Sequence, residues 1–353
     1  MSNAYRVVQW NRHKRVYDLV VVGSIGLFIA VYVGVSAALH SGEEALSGPI
    51  VLMRALATCA IVLLHVVLCI GPMARLSPRF APLLYNRRHL GVSMFLVALA
   101  HAALAVLFYG AFGGGNPVVH TVAGYWSWTV SGFAFETLGF GALVILFVMA
   151  ATSHDFWLAN LTPRVWKGLH MAVYGAYVLV VLHVALGAMQ SERSLVYPVL
   201  MGLGMLLVGM LHIVAGRREV VKDRRGLEAD AEWVDVGGVD EIADARAKVV
   251  CLKGRERVAV FRDGDRVSAV SNVCAHQGGP LGEGKIVGGC ITCPWHGYQY
   301  LAHNGQSPPP YSEKIPTYRV RVEGRRILLH PEALPPGTPV EPARIEAPGG
   351  GDG

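Results

Sequence analysis

Two short stretches late in the chain carry side chains able to hold a redox metal centre. The first reads VCAHQGGPLGEG over 273–284, and the second reads CPWHGYQY over 293–300. Together they spell C-x-H-x16-C-x-x-H through Cys274, His276, Cys293 and His296. Two thiolates and two imidazoles in this mixed order suit a [2Fe–2S] cluster, with cysteines on one iron, histidines on the other and sulfides bridging. Zinc also accepts two cysteines and two histidines, perhaps through Cys290-x-x-Cys293, but its usual spacings pair Cys with Cys and His with His. Each loop must turn tightly to present its ligand pair, which the glycines and prolines beside both allow. Cys290 is then spare and reads as a buried strand residue, while Cys59 and Cys69 lie in apolar runs and read as small core residues.

A second set of candidates lies in the N-terminal half, where His65, His101, His170, His183 and His212 fall inside long apolar runs. Ionisable side chains at such depth are candidates for function, and imidazoles there suit axial ligation of b-type haem. His101 lies 13 residues in from the basic end of the third run, roughly 20 Å along a helix, and His183 lies 18 residues into the fifth, roughly 27 Å. Both therefore belong to the half of the membrane away from the basic loops, and they form an axial pair for one haem. His170 is only 5 residues in, with His65 at a similar shallow depth and His89 at the boundary. These are the available ligands of a second haem. His212 reads as a hydrogen-bonding residue. On an ideal helix His170 and His183 differ by about 140° in azimuth, so a shared fifth helix needs an irregularity between them, as at Gly175.

The elements that position these residues follow from composition. Of 353 residues, 53% are hydrophobic and 16% charged, well below the roughly 25% charge of a soluble domain. Residues 1–216 hold 12 Lys/Arg against 6 Asp/Glu, and residues 217–353 are balanced. A nucleic-acid binder would carry its basic excess on the soluble part, so nucleic acid is excluded as a partner. Six apolar spans run at 16–38, 50–71, 89–110, 132–151, 165–189 and 195–215. The first is too long for a signal-peptide core and reads as a retained helix. Basic residues mark the N-terminal arm (Arg6, Arg12, Lys14, Arg15), the loop from Arg75 to Arg88, Arg164 with Lys167, and the exit after 216; Arg193 alone breaks the pattern. By the positive-inside rule both termini are cytoplasmic.

The fold class expected is an α-helical membrane bundle of six transmembrane helices (1–216), a charged connector (217–230), an all-β domain (231–330) and a disordered tail (331–353). Strands are expected at KVVCL, RVAVF, RVSAVSN and TYRVRVEGRRILL, with RDGD and VEGR as hairpin turns. The tail has too little apolar content to pack.

On the ligand pattern, residues 231–330 resemble the Rieske [2Fe–2S] family. The chain has Gly279 and Trp295 in the region where members from respiratory cytochrome complexes carry disulfide cysteines, and Tyr298 follows His296-Gly297. It is thus similar to the ferredoxin subtype of ring-hydroxylating oxygenase systems. Fewer hydrogen bonds to sulfur then imply a potential towards the low end of the Rieske range. RRHLGVSMFLVALAHAAL and TPRVWKGLHMAVYGAYVLVVLHVAL resemble the ferric reductase-like transmembrane family, which includes NADPH oxidases, ferric reductases and the haem-binding membrane subunit of periplasmic methionine-sulfoxide reductase. The resemblance covers about residues 16–215 and implies haem-ligand positions at His101, His170 and His183. It departs at Arg87, where two-haem members have a histidine.

The expected function is electron transfer through the cytoplasmic (inner) membrane, in an oxidoreductase component with N-terminus and Rieske domain cytoplasmic. Electrons would run from a cytoplasmic donor through the [2Fe–2S] cluster and b-type haem to an acceptor across the lipid bilayer. No strand followed by G-x-G-x-x-G is read, and the glycine run at 112–117 is weak by itself. The donor is therefore expected to be a separate ferredoxin or flavin-dependent NAD(P)H reductase, and the acceptor a quinone, a metal ion or a periplasmic protein. The alternatives are a quinone-linked oxidoreductase subunit and a redox-sensing or anchoring subunit without turnover. A Rieske oxygenase is the weakest reading, because no 2-His-1-carboxylate site follows the cluster.

Overall fold

The computed structural model describes residues 12–39, 46–84, 86–110, 116, 118–119, 135–154, 157, 161, 163–187, 189, 195–254, 256–295 and 297–346. Of the residues singled out above, Arg6, Arg193, His296 and most of the glycine run lie outside these. The N-terminal half is helical: α1 (Arg12–Leu39), α2 (Gly48–Leu76), α3 (Arg87–Ala105), α4 (Phe135–Ala151), α5 (Pro163–Met171), α6 (Val173–Leu186) and α7 (Val196–Arg224). Among the described residues, five helical stretches are long and apolar enough to cross a bilayer; α5 and α6 together form one of them. The fourth expected span appears as α4, an apolar helix of 17 residues, about 25 Å long and so a little short of a bilayer core.

Outward faces of these helices are apolar where a soluble protein's would be polar. Leu19 on α1 is 72% exposed and Leu27 is 66% exposed, so lipid rather than water is their solvent. The packed centre is α2, whose Ala55, Cys59, Leu64, Leu68, Cys69 and Ile70 are buried. It carries Pro49 in its first turn, where the missing N–H costs nothing, and Arg75 in its last. Leu64, Leu68 and Cys69 form one core with Met94 and Phe95 of α3, Leu146 of α4, Val173 and Ala176 of α6, and Val208 of α7. The irregularity expected near Gly175 falls at Ala172, where α5 ends and α6 begins. His170 and His183 are thus on separate helical segments.

The C-terminal half is all-β. Its strands are β1 (Val234–Gly238), β2 (Ala247–Val250), β3 (Val258–Asp263), β4 (Arg266–Ser271), β5 (Lys285–Val287), β6 (Cys290–Thr292), β7 (Gln299–Leu301), β8 (Thr317–Tyr318), β9 (Val320–Glu323), β10 (Arg326–Leu329) and β11 (Ala343–Arg344). They make three sheets: β1-β10-β9; β11-β4-β3-β2 with β8 beside β4; and β5-β6-β7. Strand pairing is antiparallel throughout. Gly264 (φ 61°) and Gly324 (φ 58°) supply the left-handed residues of the β3–β4 and β9–β10 turns.

Strand β3 explains how the domain holds two cores. Val258 and Val260 point into one apolar cluster with Val267, Ala269, Ile327 and Leu329. Ala259 and Phe261 point into another with Leu281, Ile291, Tyr300, Cys274 and Cys293. A strand buried on both faces reads as a continuous apolar run, as VAVF does. Cys290 begins β6 and is buried, as expected.

Two boundaries differ from expectation. The charged stretch 217–224 continues helix α7, because ion pairs supply what apolar packing does not: Glu219 and Asp223 meet Arg257 of the β domain, the Asp223 carboxylate accepting at 2.8 and 2.7 Å. Nor is the tail disordered over 331–346. Its backbone is satisfied by the sheet, with β11 pairing β4, Leu334 N–H donating to Thr317 O at 2.9 Å and Val340 N–H to His303 O at 2.7 Å. Low apolar content is no bar when a sheet edge offers unpaired backbone groups.

Truncation after His330 removes these backbone hydrogen bonds, each worth about 1 kcal/mol net. The midpoint for thermal loss of the domain's cluster absorbance is expected to fall by about 5 °C or more; an unchanged midpoint would exclude the tail from the fold.

Candidate functional site

Both ligand loops are built by one local device. Cys274 N–H donates to Gly279 O (2.9 Å), and Gly278 N–H returns to Cys274 O (2.7 Å). In the second loop Cys293 N–H donates to Tyr298 O (2.7 Å), and Gly297 N–H returns to Cys293 O (3.0 Å). The glycine four residues after each cysteine has φ 72°, a conformation that a β-carbon would penalise. The first loop leaves β4 and enters β5; the second leaves β6 and enters β7, so one small sheet holds both. A β-carbon on Gly279 would lie 2.8 Å from Cys293 Sγ and 3.1 Å from the Trp295 ring. The two loops touch there, and only a glycine fits.

The chemistry of the donor set suits an iron–sulfur centre. Cys274 and Cys293 are each 1% exposed. Tyr300 Oη lies 3.3 Å from Cys274 Sγ and accepts the His276 amide at 3.2 Å, which leaves its own proton for the sulfur. Burial by itself raises the Cys274 thiol, but hydrogen bonds to Cys293, Tyr300 and the His276 and Gln277 amides outweigh it and hold the thiol below its ordinary value. Burial also drives the Tyr300 phenol upward, so it stays a proton donor. The His276 ring stacks on Tyr298 at 4.5 Å and 8°, and Tyr298 is anchored by donating to the Glu313 carboxylate. Gln277, 1% exposed, has a carboxamide with no hydrogen-bond partner among the described residues. Such a group is costly until an acceptor arrives. Cys274, His276 and Cys293, with His296, would hold the cluster; His296 lies outside the described residues.

The membrane histidines divide into two kinds. His101 Nδ1 meets Met53 O at 3.1 Å, and His183 Nδ1 meets Phe135 O at 2.8 Å. A backbone carbonyl on Nδ1 places the proton there and leaves Nε2 with the lone pair, the arrangement of a metal-ligating imidazole. Gly139 makes room for one: a β-carbon there would be 2.8 Å from the His183 ring. With Nε2 left to donate, His101 and His183 would each suit a haem iron. His170 has Nδ1 on Trp166 O at 3.0 Å and Nε2 3.5 Å from Ser153 Oγ, while His65 has Nε2 on Tyr177 Oη at 3.0 Å. Each Nε2 faces a different hydroxyl, so the geometry does not bring these two rings into one set. His89 pairs with Asp18 at 2.8 Å, and His212 Nε2 meets Tyr174 Oη at 3.0 Å.

Tyr300 and Tyr177 are not among the residues that the sequence pattern marks. The glycines had a signal, because C-x3-G occurs in both loops; Tyr177 had none, since its partner is 112 residues away.

A helical membrane domain joined to a β domain that gathers two buried thiols and an imidazole at one tip defines a membrane electron-transfer protein. The family profile for the Rieske [2Fe-2S] domain matches residues 232–319, and that for the ferric reductase like transmembrane component matches residues 55–181. The ferredoxin component of the alkene monooxygenase system of Xanthobacter autotrophicus (strain ATCC BAA-1158 / Py2) is 33% identical over 107 residues, 30% of this chain and 87% of that protein. The anthranilate 1,2-dioxygenase ferredoxin subunit of Burkholderia cepacia is 31% identical over 93 residues, 26% of this chain and 85% of that protein. Among solved structures, the ferredoxin of carbazole 1,9a-dioxygenase from Nocardioides aromaticivorans IC177 is 30% identical, with 29% of this chain and 100% of that chain covered and a TM-score of 0.27. The chain belongs to the Rieske [2Fe-2S] family, fused here to a ferric reductase-like transmembrane domain.

Two outcomes follow from this geometry. Tyr300→Phe removes a hydrogen bond to sulfur, and the cluster potential in an EPR-monitored titration is expected to drop by ~40 mV, the one-electron equivalent of about 1 kcal/mol. Gly139→Ala drives a methyl into the His183 ring, and haem affinity, read from Soret absorbance per protein, is expected to weaken by about 10–100-fold.

Proposed function

We propose that the protein carries single electrons across the cytoplasmic membrane, from a cytoplasmic donor at the cluster loops to an acceptor on the far side. A [2Fe–2S] cluster and b-type haem each accept and release one electron without making or breaking a bond. What the chain contributes is ligation, dryness and fixed distance. Cys274, Cys293, His276 and His296 hold the first group, with Tyr300 and the loop amides stabilising negative charge on sulfur. His101 and His183 hold haem in the outer half of the helix bundle, with His170 as the candidate ligand nearer the cytoplasmic face. The basic loop residues support an N-terminus and β domain on the cytoplasmic side. The donor classes are a one-electron ferredoxin or a flavin-dependent NAD(P)H reductase; the acceptor classes are a quinone, a metal ion or a periplasmic protein.

The observation that carries this reading is the seating of the first ligand loop on the membrane domain. Glu283 of that loop faces Arg75 in the last turn of α2 at 4.0 Å, at the same end of the bundle as His170. One polypeptide thus supports both donor sets with the loop held against the helices.

The test uses the full chain in vesicles with the β domain outward and a protein donor that cannot cross lipid. Cluster reduction, followed by EPR, is expected to precede haem reduction, followed by absorbance, and Cys293→Ser is expected to abolish both. Haem that stays oxidised beside a fully reduced cluster would overturn the reading and favour a sensor or anchor. Inhibition by quinone analogues would identify the quinone pool as acceptor.

A further inference from the structure

Three aromatic rings run between the two halves of the molecule. Trp295 sits in the second ligand loop between Cys293 and His296, and its indole packs on Gly279 of the first loop, close enough that a β-carbon there would lie 3.1 Å from it. It also neighbours Trp166 of α5, with ring centroids 6.1 Å apart and planes at 42°. Trp166 in turn stacks on His170 at 3.7 Å and 24°. The three rings thus follow one another from the ligand loop to the membrane histidine.

We infer that Trp166 and Trp295 form the electronic bridge between the two halves, an indole pair through which the electron passes from the cluster loops to the His170 side. This rests on the proposed function above. Both spacings fall within the range of ordinary aromatic contacts, and delocalised π systems couple far better over such distances than saturated side chains or open space. Trp166 is held in place: it is 7% exposed, and its Nε1 donates to Thr152 O at 3.3 Å. His170 is tied to it twice, by stacking and by Nδ1 on the Trp166 carbonyl. No atom moves in the transfer. A one-electron protein reductant supplies the electron at the cluster loops, the electron arrives on the His170 side, and both indoles finish neutral with their Nε1 protons in place.

A packing role makes a different prediction, because the halves are also joined by groups remote from the indoles. Arg257 grips Asp223 and Glu219 of α7, and Arg75 faces Glu283. Loss of an indole should leave this seating intact.

The experiment compares wild type, Trp166→Phe and Trp166→Leu as full chains loaded with cluster and haem, mixed rapidly with the protein reductant. Cluster EPR and haem spectra at equilibrium are expected to be unchanged. The rate of haem reduction after cluster reduction is expected to fall about tenfold or more in Trp166→Leu and less than about threefold in Trp166→Phe. Seating is read separately, from the yield of a short thiol cross-link in an Arg75→Cys, Glu283→Cys background, which is expected to match with and without Trp166→Leu. A wild-type rate in Trp166→Leu overturns the bridge and leaves the proposed function standing. A cross-link lost together with the rate also overturns it, assigning the indole to packing. Failure of wild-type haem to be reduced from the cluster overturns the function and the bridge together.

Discussion

Over Val258–Phe261 strand β3 is buried on both faces, and the cluster site depends on that constraint. Its alternate side chains fill two different cores, one shared with β1, β4 and β10 and the other closing the small sheet that carries the ligand loops. Cys274 and Cys293 are members of the second core, so their sulfurs are kept dry by the same residues that hold the domain together. Dryness alone would favour neutral thiols. The loop amides and the Tyr300 hydroxyl reverse that preference locally, which is the combination a sulfur ligand to iron needs. Stability and ligation are therefore coupled: a cavity cut beside Phe261 would loosen the cluster site as well as the fold.

The membrane half solves a related problem with less polar material. Its imidazoles lie among apolar side chains, and each finds a carbonyl, carboxylate or hydroxyl to fix its orientation. The distinction that matters is the partner. His101 and His183 reach across to carbonyls on other helices, at Met53 and Phe135, so their rings are held between elements. His65, His170 and His212 fold back on carbonyls of their own helix four residues earlier. The first arrangement holds Nδ1 against a neighbouring helix; in the second Nδ1 is held by the ring's own turn, and Nε2 meets a hydroxyl of another segment, at Tyr177, Ser153 and Tyr174.

Much of the site was legible because it is local. C-x-H and C-x-x-H name their ligands within a few residues, and the C-x3-G spacing in both loops encodes the shared turn. The strands of β2, β3, β4, β9 and β10 announced themselves by β-branched runs. Strands β5, β6 and β7 did not, since three residues each in a glycine-rich context give no period to read. Tyr300 lay two positions beyond a noted tyrosine, but only folding shows that its hydroxyl meets Cys274 rather than solvent. Over 331–346 the expectation of disorder fails because composition reports apolar burial and is blind to backbone pairing. Contacts between halves, such as Trp166 with Trp295, join residues far apart in the chain and leave no trace in either neighbourhood.

The continuation of α7 to Arg224 has a mechanical meaning. A helix passes rotation along its axis, roughly 100° for each residue, and Arg257 reads the phase of that rotation by gripping Glu219 and Asp223 on one side of it. The stalk is therefore indexed like a keyed shaft. Adding or removing a single residue between Gly216 and Glu219 would turn the whole β domain to a new bearing, and only changes near a whole number of turns would restore its heading. For a chain whose two halves must face each other, the count of residues in this stretch is as much a part of the sequence's information as their identity.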